Sequence, residues 1–132
     1  MKDYPGGAWF ARYRERVNCD PELEVIGDWF STTFGLTFGE GRYAVRVEKG
    51  RIVEVVDKPS LDVRTPFGFR APVDVWGKFL SSDPPPLFHD FFAMLMRVPE
   101  FVLEGDSLVA MQNARALHRM MNIMRETGAP DV

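Results

Sequence analysis

The chain has 132 residues, enough for one domain that buries its own core without metals or disulfides. Its formal net charge is −3 and 45% of it is hydrophobic, which argues against duplex DNA, RNA or an anionic membrane surface as partner, since those need clustered Lys and Arg. A single cysteine, Cys19, rules out an intrachain disulfide and points weakly to a reducing, cytoplasmic setting. The ends, Met1 to Gly7 and Ala129 to Val132, carry neither an apolar signal core nor a peroxisomal or retention address, and no run approaches a membrane span.

In chain order, Trp9, Phe10, Tyr13 and Val17 recur at helical spacing and predict an amphipathic helix over 8–18. Asp20-Pro21-Glu22 has the form of an N-cap followed by proline at the first helical position, opening a short turn of helix that Gly27 stops, with Leu23 and Ile26 buried. The period then changes to two. Phe30, Thr32, Phe34, Leu36 and Phe38 alternate with small or polar residues, the pattern of a half-buried strand. Gly39-Glu40-Gly41 turns it into a second strand with Tyr43, Val45 and Val47 on one face. Lys49-Gly50 turns again into 51–57, where alternation blurs. These three form an antiparallel meander. After Lys58-Pro59-Ser60, the residues Leu61, Val63 and Thr65 alternate as a fourth strand ended by Pro66.

The last part is mainly helical. Pro72 opens a helix with Val75, Trp76, Phe79 and Leu80 as its stripe, and 81–86 is a proline-stiffened connector. Phe88, Phe91, Phe92, Leu95 and Met96 then form a stripe on a helix over 87–98, which Pro99 ends. A short strand over 101–104 follows. Gly105-Asp106 turns into one long final helix with Asp106 as N-cap, lined by Ala110, Ala114, Leu117, Met121 and Met124 and widened by Val109, Ala116, Met120 and Ile123.

The run Arg51 to Val56, then Leu61-Asp62-Val63-Arg64, then Ala71-Pro72-Val73-Asp74-Val75-Trp76-Gly77-Lys78-Phe79-Leu80, closed by Phe101-Val102-Leu103-Glu104-Gly105-Asp106 and a long helix, resembles the sterol carrier protein-2 superfamily. The resemblance spans roughly 28–125 and implies one α+β domain over 1–132. Its sheet is five-stranded, mostly antiparallel and covered by helices, with an apolar tunnel between them. It implies non-catalytic binding or transfer of a fatty acid, acyl-CoA, sterol or similar lipid, with no cofactor and with an enzyme as a possible partner. A small enzyme, or an accessory subunit, acting on a bound hydrophobic substrate is the alternative.

Eleven Phe, three Trp and three Tyr are more ring surface than a small core needs, and rings also line apolar pockets. The expected ligand-binding residues are Phe34, Trp76, Phe79, Phe88, Phe91, Phe92, Leu95, Met96, Leu117, Met120, Met121 and Met124. Met94 and Met111 belong with the other methionines, whose flexible thioethers adapt to irregular guests. No spacing of His, Cys, Asp and Glu matches a zinc motif, and no residue is assigned a catalytic role. His89-Asp90 is the tempting polar pair, but neighbours in sequence do not face each other on a helix, and both sit off the apolar stripe. His118, among Arg115, Arg119 and Arg125, reads as a solvated basic face or as a phosphate-binding one. Cys19 reads as a buried or inert thiol. Gly35, Gly39 and Gly41 read as turn glycines rather than a phosphate loop.

Overall fold

A computed structural model describes residues 5–60 and 62–128. The element order is α1 (Gly7–Asn18), α2 (Pro21–Ile26), β1 (Thr32–Phe38), β2 (Gly41–Glu48), β3 (Arg51–Asp57), β4 (Phe67–Ala71), α3 (Val73–Leu80), α4 (Phe91–Arg97), β5 (Val102–Gly105), α5 (Ser107–Gln112) and α6 (Ala114–Thr127). The five strands make one sheet in the order β3-β2-β1-β4-β5. Every pairing is antiparallel except β1 with β4, which is parallel with Phe34 opposite Phe67. The readings of the two chain ends and of Leu61 fall outside the described residues.

Alternation decides the two faces of the sheet. Phe34, Leu36 and Phe38 of β1, Tyr43, Val45 and Val47 of β2, and Phe67, Phe69 and Ala71 of β4 are all buried beneath the helices. The rings pack on one another: Phe34 stacks on Phe67 at 5.7 Å, Phe69 on Phe101 at 5.9 Å, and Trp76 tilts against Phe38 at 4.5 Å. Their polar tips are satisfied. Trp76 Nε1 donates to the Thr37 carbonyl at 2.8 Å, Tyr13 Oη to Met120 at 3.0 Å and Trp9 Nε1 to Gly128 at 2.8 Å. Burial of Tyr13 pushes its hydroxyl pKa well up, so it stays a donor. Much of the ring surplus is therefore core.

α1 buries Trp9, Phe10, Tyr13 and Val17, each contributing about 1.5–3 kcal/mol. It lies along the outer strand: Arg14 donates to the Ile52 and Val53 carbonyls, and Asn18 exchanges two hydrogen bonds with the Ile52 backbone at 2.8 and 3.0 Å. Asp20 caps α2 through the Leu23 amide at 3.0 Å while also holding Arg119 of α6 in a two-pronged pair. The turn after α2 is pressed onto the β2–β3 turn, where a side chain on Gly27 would run into Gly50 Cα at 2.7 Å.

Four expectations are corrected. The fourth strand is Phe67–Ala71, where 61–65 was expected; Asp62 to Pro66 is a turn, bends and irregular chain, and Pro66 precedes the strand instead of ending it. The helix expected over 87–98 begins only at Phe91, because Leu87 (φ 79°) and Asp90 (φ −143°) are not helical. The single final helix is two, broken at Asn113, whose amide bonds back to the Val109 carbonyl at 3.0 Å and competes with the helical ladder. Cys19 is exposed rather than buried.

Candidate functional site

The site grows from the phase of α4. Phe91 and Met94 are buried, and Val98 just beyond the helix continues their side, with Phe91 set edge-on to Phe69 at 5.7 Å. Residues out of phase with them, Phe92, Leu95 and Met96, are left on the outer flank. There they meet Phe101, the Val102 and Leu103 side of β5, and Ser107 and Met111 of α5. Asp106 fixes the start of α5 by accepting from the Leu108 and Val109 amides at 3.1 and 3.2 Å. The result is an open groove of about 540 Å³ in which, among the described residues, Ser107 is the only polar side chain of the lining. Met96 is 82% exposed, and the neighbouring Leu108 and Met111 are exposed too, an unusual share of apolar surface left in water.

The expected ligand-binding residues divide accordingly. Phe34, Trp76, Phe79, Phe91, Leu117, Met120, Met121 and Met124 lie fully buried in the core between sheet and helices. Phe88, Phe92 and Leu95 are partly buried against that core, and Met96 is exposed. Only Phe92, Leu95 and Met96 of the twelve line the groove. The tunnel implied by the resemblance is not shown. Val102, Leu103 and Ser107 are lining residues the sequence did not single out. Their signal was the run Phe101-Val102-Leu103, apolar on both sides of a strand too short to hide both.

Behind the groove wall is a polar pair. His118 stacks on Phe92 with ring centroids 5.7 Å apart, and its Nε2 lies 3.0 Å from Asp90 Oδ1. That oxygen is shielded from water, and the contact falls short of a well-aligned hydrogen bond. Asp90 stands at the start of α4 but does not cap it, because its carboxylate is turned to α6. The pair is thus Asp90 with His118, and His89 is left exposed. His118 is accordingly no plain solvated face. Arg125 braces the same region: Nε and an Nη donate to the Phe79 and Phe88 carbonyls at 3.0 Å each, and the guanidinium lies over the Phe79 ring at 4.6 Å. Desolvation lowers its pKa and the nearby Asp90 opposes this. Among the described residues no cluster of His, Cys, Asp and Glu could hold a metal ion, and no helix is long and apolar enough to cross a membrane.

No family model and no curated protein matches the sequence. Solved structures do match the fold. The crystal structure of sterol carrier protein 2 superposes with a TM-score of 0.71 at 15% identity, over 90% of this chain and 95% of that one. A conserved hypothetical protein from Thermus thermophilus gives 0.73 at 15% identity, over 97% and 92%. The chain has a sterol carrier protein-2-like fold. A third likeness is to UbiJ-SCP2, a ubiquinone synthesis protein, at 0.58 and 11% identity over 88% and 87%. Within this sterol carrier protein-2-like fold, the groove lies between α4, β5 and α5, with the Asp90–His118 pair behind its Phe92 wall.

Proposed function

We propose that this domain binds an apolar ligand, a fatty acid, acyl-CoA, sterol or similar lipid, in the groove between α4, β5 and α5, and carries out no chemical step on it. The observation that carries this reading is the groove itself: about 540 Å³ lined, among the described residues, by apolar side chains and Ser107. The sterol carrier protein-2 likeness supports it, since that protein is named as a carrier. The ligand enters from one side and is shielded on the other by β5 and α4, with methionines free to fit its shape. A carrier of this kind works alone or presents its ligand to a partner enzyme; the likeness to a ubiquinone synthesis protein supports the second arrangement.

Catalysis by Asp90 and His118 is the weaker reading, because Phe92 stands between His118 and the groove, leaving the imidazole no direct reach to a bound ligand. The test is titration with an environment-sensitive fluorescent fatty acid. One-to-one binding, displaced by natural lipids and weakened at least about tenfold by Met96→Glu, is the expected result. Met96 is exposed, so the substitution leaves the fold intact. A flat titration with folded protein, or binding indifferent to Met96→Glu, removes the groove as the site.

A further inference from the structure

The face of the sheet turned away from the helices carries a second, smaller hollow. Strand register sets Arg42, Thr37 and Arg70 side by side in one row, and Ala44, Gly35, Gly68 and Glu104 in the next. The two glycines leave the middle of that second row bare. Above it opens a hollow of about 100 Å³, bordered by Thr37, Arg42 and Glu104 and by Pro59, Val63 and Thr65 of the crossover between β3 and β4.

The two glycines have different reasons to be there. A side chain on Gly68 would strike the Gly35 carbonyl oxygen at 2.9 Å, so close strand packing demands it. Gly35 is under no such demand: its Cβ would meet Gly68 Cα at 3.8 Å and the Thr65 side chain at 3.9 Å, ordinary contact, and its backbone is plain strand. Glycine in a strand interior weakens the strand and commonly marks close approach by something else. Close packing therefore does not forbid a small side chain at 35, and the glycine leaves the space beneath Thr65 open.

The charges around the hollow set what chemistry fits it. Arg42, Arg46, Arg51 and Arg70 share this face by register. Arg46 is paired with Glu48 and Glu54, and Arg70 with Glu104 at 2.9 Å. Arg42 has no carboxylate partner among the described residues, and it borders the hollow. Since Arg70 already engages Glu104, the uncompensated charge of the lining is positive. The Thr37 and Thr65 hydroxyls beside it make no hydrogen bond among the described residues, and a guanidinium with two free hydroxyls suits an oxyanion.

We propose that this hollow is a binding site for a small oxyanion, a carboxylate or a phosphate, held by Arg42, Thr37 and Thr65 over the bare Gly35–Gly68 floor. Size agrees: a cavity of about 150 Å³ takes a benzene, so this one suits an ion of a few heavy atoms. The site lies across the sheet from the apolar groove and does not depend on what fills that groove.

The experiment is a backbone-amide NMR titration with sodium phosphate and, separately, sodium acetate, against sodium chloride at matched ionic strength. Saturable shifts at Gly35, Thr37, Thr65 and Gly68 with either oxyanion and not with chloride are expected, the tighter of the two naming the class. Arg42→Gln raises the Kd about tenfold or more. Gly35→Val, which places two methyl groups in the hollow, abolishes the shifts while leaving the rest of the spectrum in place, and Gly35→Ala, with less bulk, weakens them. Shifts that do not saturate, that chloride reproduces, or that survive both Arg42→Gln and Gly35→Val overturn the proposal.

Discussion

Asp20 accepts from the Leu23 amide and from Arg119 at once, joining the start of α2 to the middle of α6. The hydrogen bond from Arg119 holds its carboxyl below the usual carboxylate range against an opposing push from burial, and the same bond drives the Arg119 pKa upward. A folded-state pKa below the unfolded one means stability that is present above the ordinary value of about 3.9 and lost as pH falls through the lower, folded one. Asn at 20 keeps the cap and loses the charge, so Asp20→Asn is expected to cost about 1–2 kcal/mol at pH 7. It also flattens the loss of stability between about pH 5 and 2; urea midpoints measured across that range check both. The two histidines separate in the same kind of experiment. His118→Ala takes the imidazole away from the shielded Asp90 Oδ1 and removes the ring stacked on Phe92, an expected cost of about 1–2 kcal/mol. His89→Ala stays within about 0.5 kcal/mol. Equal effects would show that the Asp90–His118 contact contributes nothing.

At the scale of elements, α4 is a short wall of the groove. It is seven residues long, with Phe91 and Met94 fully buried, Phe92 and Leu95 only partly buried against the core, and Met96 exposed. It is reached through a connector whose Leu87 holds a positive φ of 79°, a conformation that a branched side chain adopts at a cost. A bound ligand would supply contacts on the outer flank. Amide hydrogen exchange of α4 is therefore expected to slow on binding more than that of β1 to β3; equal protection in both would place the moving part elsewhere. This element also shows how far the sequence carries. The stripe Phe88, Phe91, Phe92, Leu95, Met96 is regular, yet Phe88 belongs to the connector, and Met94 takes the core place that the stripe assigned to Met96. The four residues 87–90 of the expected helix are not helical, and the stripe read across them does not match the buried side. Helices with unambiguous ends came out close to their reading: α1 starts one residue early, and Asp20-Pro21 and Pro72 open α2 and α3 as expected. The break at Asn113 had no such signal, because an asparagine within a helical pattern is a weak one until its amide is seen on the Val109 carbonyl.

Across the whole molecule, the strands with one wet face were legible because their alternation records burial directly. β4 was not, since 61–65 imitates a strand by alternation while the real one carries Gly68, a residue chosen for its contact with Gly35. The groove was mostly hidden for a related reason: it is assembled from three elements, and neither β5 nor α5 announces which flank faces α4. The core is one continuous cluster joining α1, the sheet and α6, with Trp9 and Trp76 both inside it. Unfolding in urea is expected to be a single transition, with tryptophan fluorescence and far-UV circular dichroism giving one midpoint; two midpoints would mean that part of the sheet survives without its helices.

The way α1 lies along β3 has a consequence for how copies of this protein tolerate crowding. An outermost strand presents unpaired amides and carbonyls on which a strand from another molecule can grow, the first step of edge-to-edge aggregation. Here Asn18 uses its side-chain amide as a substitute for the next strand, donating to the Ile52 carbonyl and accepting from the Ile52 amide, while Arg14 occupies the Ile52 and Val53 carbonyls. The opposite border, β5, is four residues long and ends at Gly105, where the chain bends away under a φ of 84°. One border of the sheet is stoppered by side chains at Ile52 and Val53 and the other is short, and both features work against a sixth strand from another molecule.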